Sequence, residues 1–337
     1  MNSRERVRAI IAGQAPDRSG FWLGNPDPET WPNYYAYFGT TEEQTIRQRL
    51  GDDFLWVCPE LTPGTYRHPA GRPMFPAVEN QTSHGAPGPL ANCERVDDLH
   101  GYEWPDVAWL DFQPCLEALR NAGSRYRASG MWTPFFHIVM ALLGFESYLT
   151  KMYSHPDLVL AVTDRVCAFY YEANERLYAS AGNLIDGYFF GNDFGTQLDL
   201  MISPKLFDRF ILPWLGRFVA QGHRHGHQVI LHSCGSIYRV IDRVIEAGVN
   251  CLHPLQALAR NMDADSLARH FKGRLAFMGG IDTQDLLVHG TPEQVKAEVR
   301  RVRALLGPNL IVSPSHEALL PNVPPENVAA MAEAARE

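Results

Sequence analysis

The sequence lacks the patterns that mark secreted and membrane-spanning proteins. Its six cysteines have no paired spacing, so we expect free thiols rather than a disulfide framework; they stand at positions 58, 93, 115, 167, 234 and 251. No apolar run approaches the ~18–20 residues that a membrane span needs. We expect no signal peptide ahead of the polar start MNSRERVRA. These absences predict a cytoplasmic protein.

Positive charge is also scarce. The formal net charge is −8 and no stretch is rich in Lys or Arg, which argues against nucleic acid or an anionic membrane as the main partner. We therefore expect a small-molecule substrate. The composition, 45% hydrophobic and 20% charged, is that of a globular protein with a large core. A chain of 337 residues fits either two average domains or one large α/β barrel.

Residues 228–236, QVILHSCGS, are the most informative stretch. The short apolar run Val229–Leu231 predicts a strand that is buried on both faces. It ends in His232 and Cys234, two side chains that commonly bind metals. Ser236 is then typical of a helix N-cap, and residues 249–256 predict another strand. The unit is strand, helix, strand, with its chemistry at the carboxyl end of the first strand, where α/β enzymes place their sites.

The same alternation recurs through the second half of the chain. Predicted strands cover residues 184–190, 228–231, 249–256, 274–282 and 309–316, and a predicted helix follows each. Less distinct units come earlier: helix 3–13, strand 21–23, helix 112–123, strand 131–140, helix 144–153 and a long helix that begins at Pro156. The best fit is one (β/α)8 TIM barrel over residues 1–337.

Residues 25–105 are rich in Pro, Gly, Trp and Tyr, with weak periodicity and several turn signals. We expect an elaborate loop region with short strands. It serves either as a structural cap or as a lid and substrate wall, and the two roles are compatible.

Polar side chains follow the predicted strands one after another: Asn192 and Asp193, His232 and Cys234, His253 and Gln256, Asp282, and His316. In a barrel these positions converge on one face. A single histidine at a strand end is more often structural, but so many ligand-type residues together favour a site. His232, Cys234 and His316 make three candidate metal ligands, the number that a catalytic zinc site uses while it leaves a fourth position open.

The remaining candidates surround that proposed metal. We predict catalytic roles for Asp193, Gln256 and Asp282, and Asp193 is also a candidate fourth ligand. The predicted substrate-binding residues are Trp22, Asn192, His253 and Gly280. Gly279 and Gly280 either let a ligand approach the backbone closely or shape the strand end.

The sequence resembles the uroporphyrinogen decarboxylase superfamily of barrels over nearly its whole length. The motifs that carry the resemblance are SRERVRAIIAGQAPDR, SPKLFDRFILPWL, HSCGS, EAGVNCLHPLQ, FMGGIDTQDLLVHGTPEQVKAEV and SPSHEALLPNVPPENVAAM. The superfamily holds cofactor-free decarboxylases of the tetrapyrrole pathway. It also holds zinc-dependent methyltransferases that move methyl groups between corrinoid proteins and thiols such as coenzyme M.

Two local features relate the chain to these branches. The decarboxylases typically carry an Arg-rich RQAGR motif near the first strand, where this chain reads GFWLGNPDPETWP without arginine. The methyltransferase branch resembles this chain in its His-x-Cys, which implies zinc at His232 and Cys234. Its third ligand is usually a cysteine in Ser-Pro-Gly-Cys; the matching position here is His316 in SPSH, and imidazole also suits zinc.

The resemblance therefore implies a zinc-dependent methyltransferase-like enzyme that uses a corrinoid on a separate partner protein. One alternative is a decarboxylase of a small carboxylate or a tetrapyrrole, with Asp193, Gln256 and His316 positioning the substrate. Another is a barrel that binds a ligand without catalysis. Metal content separates the first hypothesis from the other two.

Overall fold

The computed structural model describes residues 1–76 and 87–337 and contains one eight-stranded parallel sheet. Its strands are β1 (Gly20–Phe21), β2 (Phe54–Val57), β3 (Tyr126–Ser129), β4 (Gly187–Gly191), β5 (Gln228–His232), β6 (Cys251–Leu255), β7 (Ala276–Ile281) and β8 (Leu310–Pro314). They pair in the order β1-β8-β7-β6-β5-β4-β3-β2. The first and last strands of this order, β1 and β2, are also linked, since the N–H of Asp53, just before β2, donates to the carbonyl of Phe21 in β1 at 2.9 Å. The predicted (β/α)8 barrel is confirmed.

Helices separate and surround these strands. They are α1 (Ser3–Ile11), α2 (Trp31–Phe38), α3 (Glu43–Leu50), α4 (Gln113–Arg120), α5 (Phe135–Leu143), α6 (Phe145–Ser154), α7 (Pro156–Ala181), α8 (Pro204–Phe210), α9 (Leu212–Arg224), α10 (Ile241–Glu246), α11 (Ala264–Phe271), α12 (Leu286–His289), α13 (Pro292–Leu306) and α14 (Pro325–Arg336). In the described parts of the chain, none of them combines the length and the hydropathy that crossing a membrane requires.

Strand β5 shows how the sheet aims its side chains. Val229 and Leu231 pack in the core between strands and helices, whereas Ile230 belongs to the cluster that fills the barrel interior. Because side chains alternate along a strand, His232 points to the same inner side as Ile230. The sheet register pairs His232 with His253 of β6. His253 lies two residues beyond the interior residue Cys251, so both imidazoles face into the barrel.

Two predicted elements were wrong. Residues 131–140 were expected to form a strand, but β3 lies earlier and residues 135–143 form the helix α5, whose apolar side chains are nearly all buried. Periodicity cannot separate a short buried helix from a buried strand when every position is apolar. Ser236 is not a helix N-cap, since its hydroxyl donates to the Arg260 carbonyl at 2.7 Å. Helix α10 begins only at Ile241, after a 3₁₀ turn (Tyr238–Val240).

The segment 25–105, predicted to be loops with short strands, holds more regular structure than expected. It contains the helices α2 and α3, the barrel strand β2 and two short 3₁₀ helices, Pro59–Leu61 and Val96–Gly101. The part of this prediction that covers residues 77–86 lies outside the described residues. Strand β2 is therefore an integral part of the barrel, while the helices α2 and α3 come between β1 and β2.

A buried carboxylate ties helix α1 to the amino-terminal end of the barrel. The Asp53 carboxylate, which is fully buried, accepts hydrogen bonds from Ser3 Oγ at 2.7 Å and from Arg6 Nη1 and Arg18 Nη1 at 2.8 Å each. It also accepts from the Phe21 backbone N–H at 3.1 Å. A buried charge is tolerated when it is paired and hydrogen-bonded in this way. This end of the barrel is thus a stability element, opposite the carboxyl ends of the strands.

Candidate metal centre

Three potential ligand atoms meet at the carboxyl ends of β4 and β5. His232 Nε2 lies 3.2 Å from Asp193 Oδ1 and 3.4 Å from Cys234 Sγ. The Asp193 carboxylate also accepts from the Cys234 backbone N–H at 2.8 Å, which fixes the bend after β5. The three ligand atoms all lie within 4.8 Å of one another. The structure thus brings together His232 and Cys234, two of the three predicted ligands, with Asp193, the candidate fourth ligand.

The other nitrogen of His232 faces a second, more deeply buried group. Its Nδ1 lies 3.0 Å from His253 Nδ1 and 3.6 Å from Glu317 Oε2. Among the described residues, His253 Nε2 and Glu317 Oε2 are buried without a hydrogen-bond partner. Glu317 was missed by sequence reasoning, although its place in the loop after β8, next to His316, could have suggested it. The imidazole of His232 therefore lies between two groups: the half-exposed Asp193 and Cys234 on its Nε2 side, and the buried His253 and Glu317 on its Nδ1 side.

These contacts decide which of His232, His253 and Asp193 carry a charge. Burial disfavours a charge on His232, but Glu317 and Asp193 outweigh burial, so the pKa of His232 is raised well above its ordinary value. Burial and the neighbouring His232 charge hold the pKa of His253 well below its ordinary value. Burial opposes ionisation of Asp193, yet its hydrogen bond to His232 keeps its pKa low. These contacts place a cationic His232 between a neutral imidazole and carboxylates.

His316 lies beside Cys234 but at the rim of the site. Its Nδ1 accepts from the Ala318 backbone N–H at 3.1 Å, and the nearby Cys234 side chain raises the pKa of His316. The His316 side chain is 39% exposed, against 5% for His232. Among the described residues, His316 is in neither of the two groups whose ligand atoms lie within 4.8 Å of one another. The predicted ligand His316 therefore lies near the Cys234 thiol but outside the group of converging ligand atoms.

Trp132, which sequence reasoning also missed, forms one wall of the site. Its ring lies 5.0 Å from the His232 ring, centroid to centroid, and 4.9 Å from that of Trp56. Gly191, at the end of β4, makes room for it, since a Cβ atom there would overlap the indole. The signal was a glycine at a strand end, which often marks a close approach by another group.

The match to known families decides what kind of barrel this is. A family model described as uroporphyrinogen decarboxylase (URO-D) matches residues 91–337. The chain belongs to the uroporphyrinogen decarboxylase family. No curated protein matches it. Among solved structures, a methyltransferase from Methanosarcina mazei is similar, with a TM-score of 0.70 and 16% identity over 99% of this chain and 98% of the other. At that identity the likeness concerns the fold.

Two amide side chains that the sequence suggested for substrate binding or catalysis, Asn192 and Gln256, form hydrogen bonds with the backbone. Asn192 Oδ1 accepts from the Phe136 N–H at 2.8 Å and its Nδ2 donates to the Thr133 carbonyl at 2.9 Å, which anchors the start of α5. Gln256 Oε1 accepts from the Gly235 N–H at 2.8 Å and from Gln197 Nε2 at 3.0 Å. These amides hold the loops that carry the site.

Asp282, Gly280 and Trp22 are likewise occupied. The Asp282 carboxylate accepts from backbone N–H groups at the start of α12, including that of Leu286 at 2.9 Å. Gly280 adopts φ +93°, and a Cβ there would press on Val302, so this glycine shapes the strand end. Trp22 is 1% exposed and packs against His253, with ring centroids 5.2 Å apart. In this arrangement Trp22 supports the site from inside the barrel.

The donor set fits zinc. Imidazole nitrogen, thiolate sulfur and carboxylate oxygen are the atoms that zinc binds in proteins. A metal at His232 Nε2 would leave the Nδ1–H to donate to His253 Nδ1, and such a partner fixes the tautomer of a ligating histidine. The site that faces the barrel mouth is therefore the candidate metal centre, and His253 belongs to its supporting layer.

Proposed function

We propose that this member of the family is a zinc-dependent methyltransferase-like enzyme. His232, Cys234 and Asp193 would hold the metal, with His316 beside Cys234 as a further ligand or a proton carrier. One observation carries the proposal: three donor atoms of three chemical types converge within 4.8 Å at the mouth of the barrel. Three protein ligands leave one position for a substrate atom.

The chain's own residues prepare that position. His253 holds the tautomer of His232, the Cys234 backbone N–H holds Asp193, and Trp132 closes one side against water. A bound zinc ion deprotonates a substrate thiol or makes a substrate oxygen a better leaving group. His316, whose side chain is 39% exposed at the rim near Cys234, is placed to exchange a proton with solvent. The resemblance to the methyltransferase branch supports a small-molecule substrate and a corrinoid on a separate partner protein.

The family also contains decarboxylases, and one observation favours a decarboxylase that works without a metal. The raised pKa of His232, which results from Glu317 and Asp193 overcoming burial, would supply a cation for a substrate carboxylate. Those two carboxylates already balance the charge, however, so an anionic substrate gains little there. The methyltransferase is therefore the better supported of the two.

Metal analysis tests the proposal. Protein purified without chelator is expected to carry about one zinc ion per chain, and Cys234→Ser should lose most of it because the thiolate is the softest ligand. Cys93→Ser is the matched control, since Cys93 contacts the Asp98 carbonyl away from the site. Zinc well below one per chain after supplementation, or full retention in Cys234→Ser, contradicts the proposal.

A further inference from the structure

A cavity of about 610 Å³ lies next to the candidate metal centre. It opens beside the carboxyl ends of β2 and β3 and reaches helix α7, and its size is that of a small-ligand pocket. Most of its wall is apolar or aromatic; the side chains used below are Glu60, Arg72, Phe75, Trp132 and Tyr170. Phe75 and Tyr170 stack with ring centroids 5.9 Å apart. The cavity thus offers aromatic faces at the barrel mouth.

Glu60 places a carboxyl group in this apolar wall. Its Oε1 accepts from the Trp132 backbone N–H at 2.8 Å, and its Oε2 accepts from the Cys58 thiol at 3.5 Å. Neither donor is charged. Arg72, which also lines the cavity, donates instead to Glu103 at 2.6 Å, where both side chains are about half exposed. The carboxyl of Glu60 is therefore not neutralised by the cavity's own arginine.

Trp132 connects the cavity to the candidate metal centre. It lines the cavity and its indole lies 5.0 Å from the His232 ring. The Glu60 carboxyl holds the Trp132 backbone, and the absence of a side chain at Gly191 leaves room for its ring. A ligand in the cavity that contacts Trp132 is thus separated from His232 by one indole.

We propose that this cavity binds an organic cation, with an ammonium group held by the Glu60 carboxylate and by the aromatic faces of Trp132, Phe75 and Tyr170. Aromatic faces attract cations within about 6 Å of the ring centroid, most strongly where water is excluded. Above neutral pH, where the Glu60 carboxyl is ionised, a carboxylate ligand would meet its like charge, and a neutral ligand would leave that charge uncompensated. That the cation is the methyl substrate rests on the proposed function; its binding does not.

Calorimetric titration of the full chain above neutral pH, where Glu60 is ionised, tests the inference with three probes that share a benzene ring. The probes are benzyltrimethylammonium, neutral benzyl alcohol and anionic benzenesulfonate. Only the cation should bind well, and Glu60→Gln should weaken it roughly tenfold or more, because it removes one partner of a buried charge pair. Glu117→Gln is the control, since Glu117 is exposed on α4 and should leave the affinity unchanged.

A second variant guards against a folding defect in Glu60→Gln. Trp132→Leu keeps an apolar wall and removes one aromatic face, so it should also weaken cation binding. Equal affinity for the cation and for benzyl alcohol, or unchanged cation affinity in both variants, overturns the inference. Chelator-treated protein titrated separately with zinc and with the cation distinguishes the two proposals. Cation binding without stoichiometric zinc binding supports this inference and contradicts the zinc-dependent function. Stoichiometric zinc binding without cation binding does the opposite.

Discussion

The imidazoles of His232 and His253 meet through their Nδ1 atoms, 3.0 Å apart, across the neighbouring strands β5 and β6. Two Nδ1 atoms can share one hydrogen bond only if one carries the proton. The directions of the two pKa shifts, which arise from carboxylates near His232 and from burial of His253, assign the proton to His232. The pair therefore turns His232 Nε2 toward Asp193 and Cys234.

Removing His253 should weaken metal binding without removing a ligand. His253→Ala is expected to lower zinc affinity roughly 10–100-fold, as loss of a supporting partner usually does. His253→Asn keeps an acceptor near the position of Nδ1 and should recover part of that loss. Chelator competition measures the affinity, with His289→Ala, an exposed histidine on α12, as the control. Equal affinities in all four proteins would show that His253 does not orient the ligand.

The glycine beneath Trp132 should control both stability and the site. Gly191→Ala forces the indole to move, so we expect a loss of about 1–3 kcal/mol in the free energy of unfolding and a change in tryptophan fluorescence. Gly216→Ala is the control, because a Cβ there meets nothing within 4 Å and lies in helix α9, where alanine is preferred. Denaturant titrations compare the two variants. If Gly191→Ala keeps the wild-type free energy of unfolding and tryptophan fluorescence, the Trp132 indole does not need the space that Gly191 leaves.

Glu60 should make stability fall as pH rises toward neutrality. Burial raises its pKa from 4.5 to about 7, so between these values the folded state holds a proton that the unfolded state has lost, and stability decreases with pH. The ionisable groups that interact with it are Cys58, Cys115, Tyr170 and Tyr188. Burial raises the pKa of each, which keeps them neutral in this range.

Glu60→Gln removes this ionisation. The variant should gain stability relative to the wild type between pH 5 and pH 8, by up to about 3 kcal/mol. Urea titrations at several pH values measure the difference, and Glu117→Gln supplies the matched control. A constant difference across this range would indicate that the Glu60 carboxyl titrates normally.

The buried charge at the other end of the barrel should matter for stability alone. Asp53→Asn leaves Arg6 and Arg18 without their shared carboxylate and should cost about 3 kcal/mol in the free energy of unfolding. Zinc content should not change, because Asp53 precedes β2 at the end of the barrel away from the site. Asp97→Asn, at an exposed position, is expected to stay within about 0.5 kcal/mol of the wild type.

Local signals were enough to predict the barrel and part of its site. Repeated apolar strands, each followed by a periodic helical segment, identify the (β/α)8 fold because each signal is contained within a few neighbouring residues. The alternation of side chains along β5 likewise puts His232 on the inner side, in line with Ile230. The family resemblance, carried by motifs along the chain, is confirmed by the match over residues 91–337.

Contacts between distant segments could not be predicted in the same way. Glu317 and Trp132 reach His232 from the loops after β8 and β3. The place of Glu317 next to His316 is a weak local signal, but only the folded chain shows that both side chains contact the same imidazole. Asn192 was predicted to bind substrate, and Gln256 and Asp282 to act in catalysis. In the structure their side-chain oxygens accept from backbone N–H groups, which belong to distant segments for Asn192 and Gln256 and to the adjoining turn for Asp282. Residue type thus predicts which atoms can bind a ligand, while packing determines which of them remain free to do so.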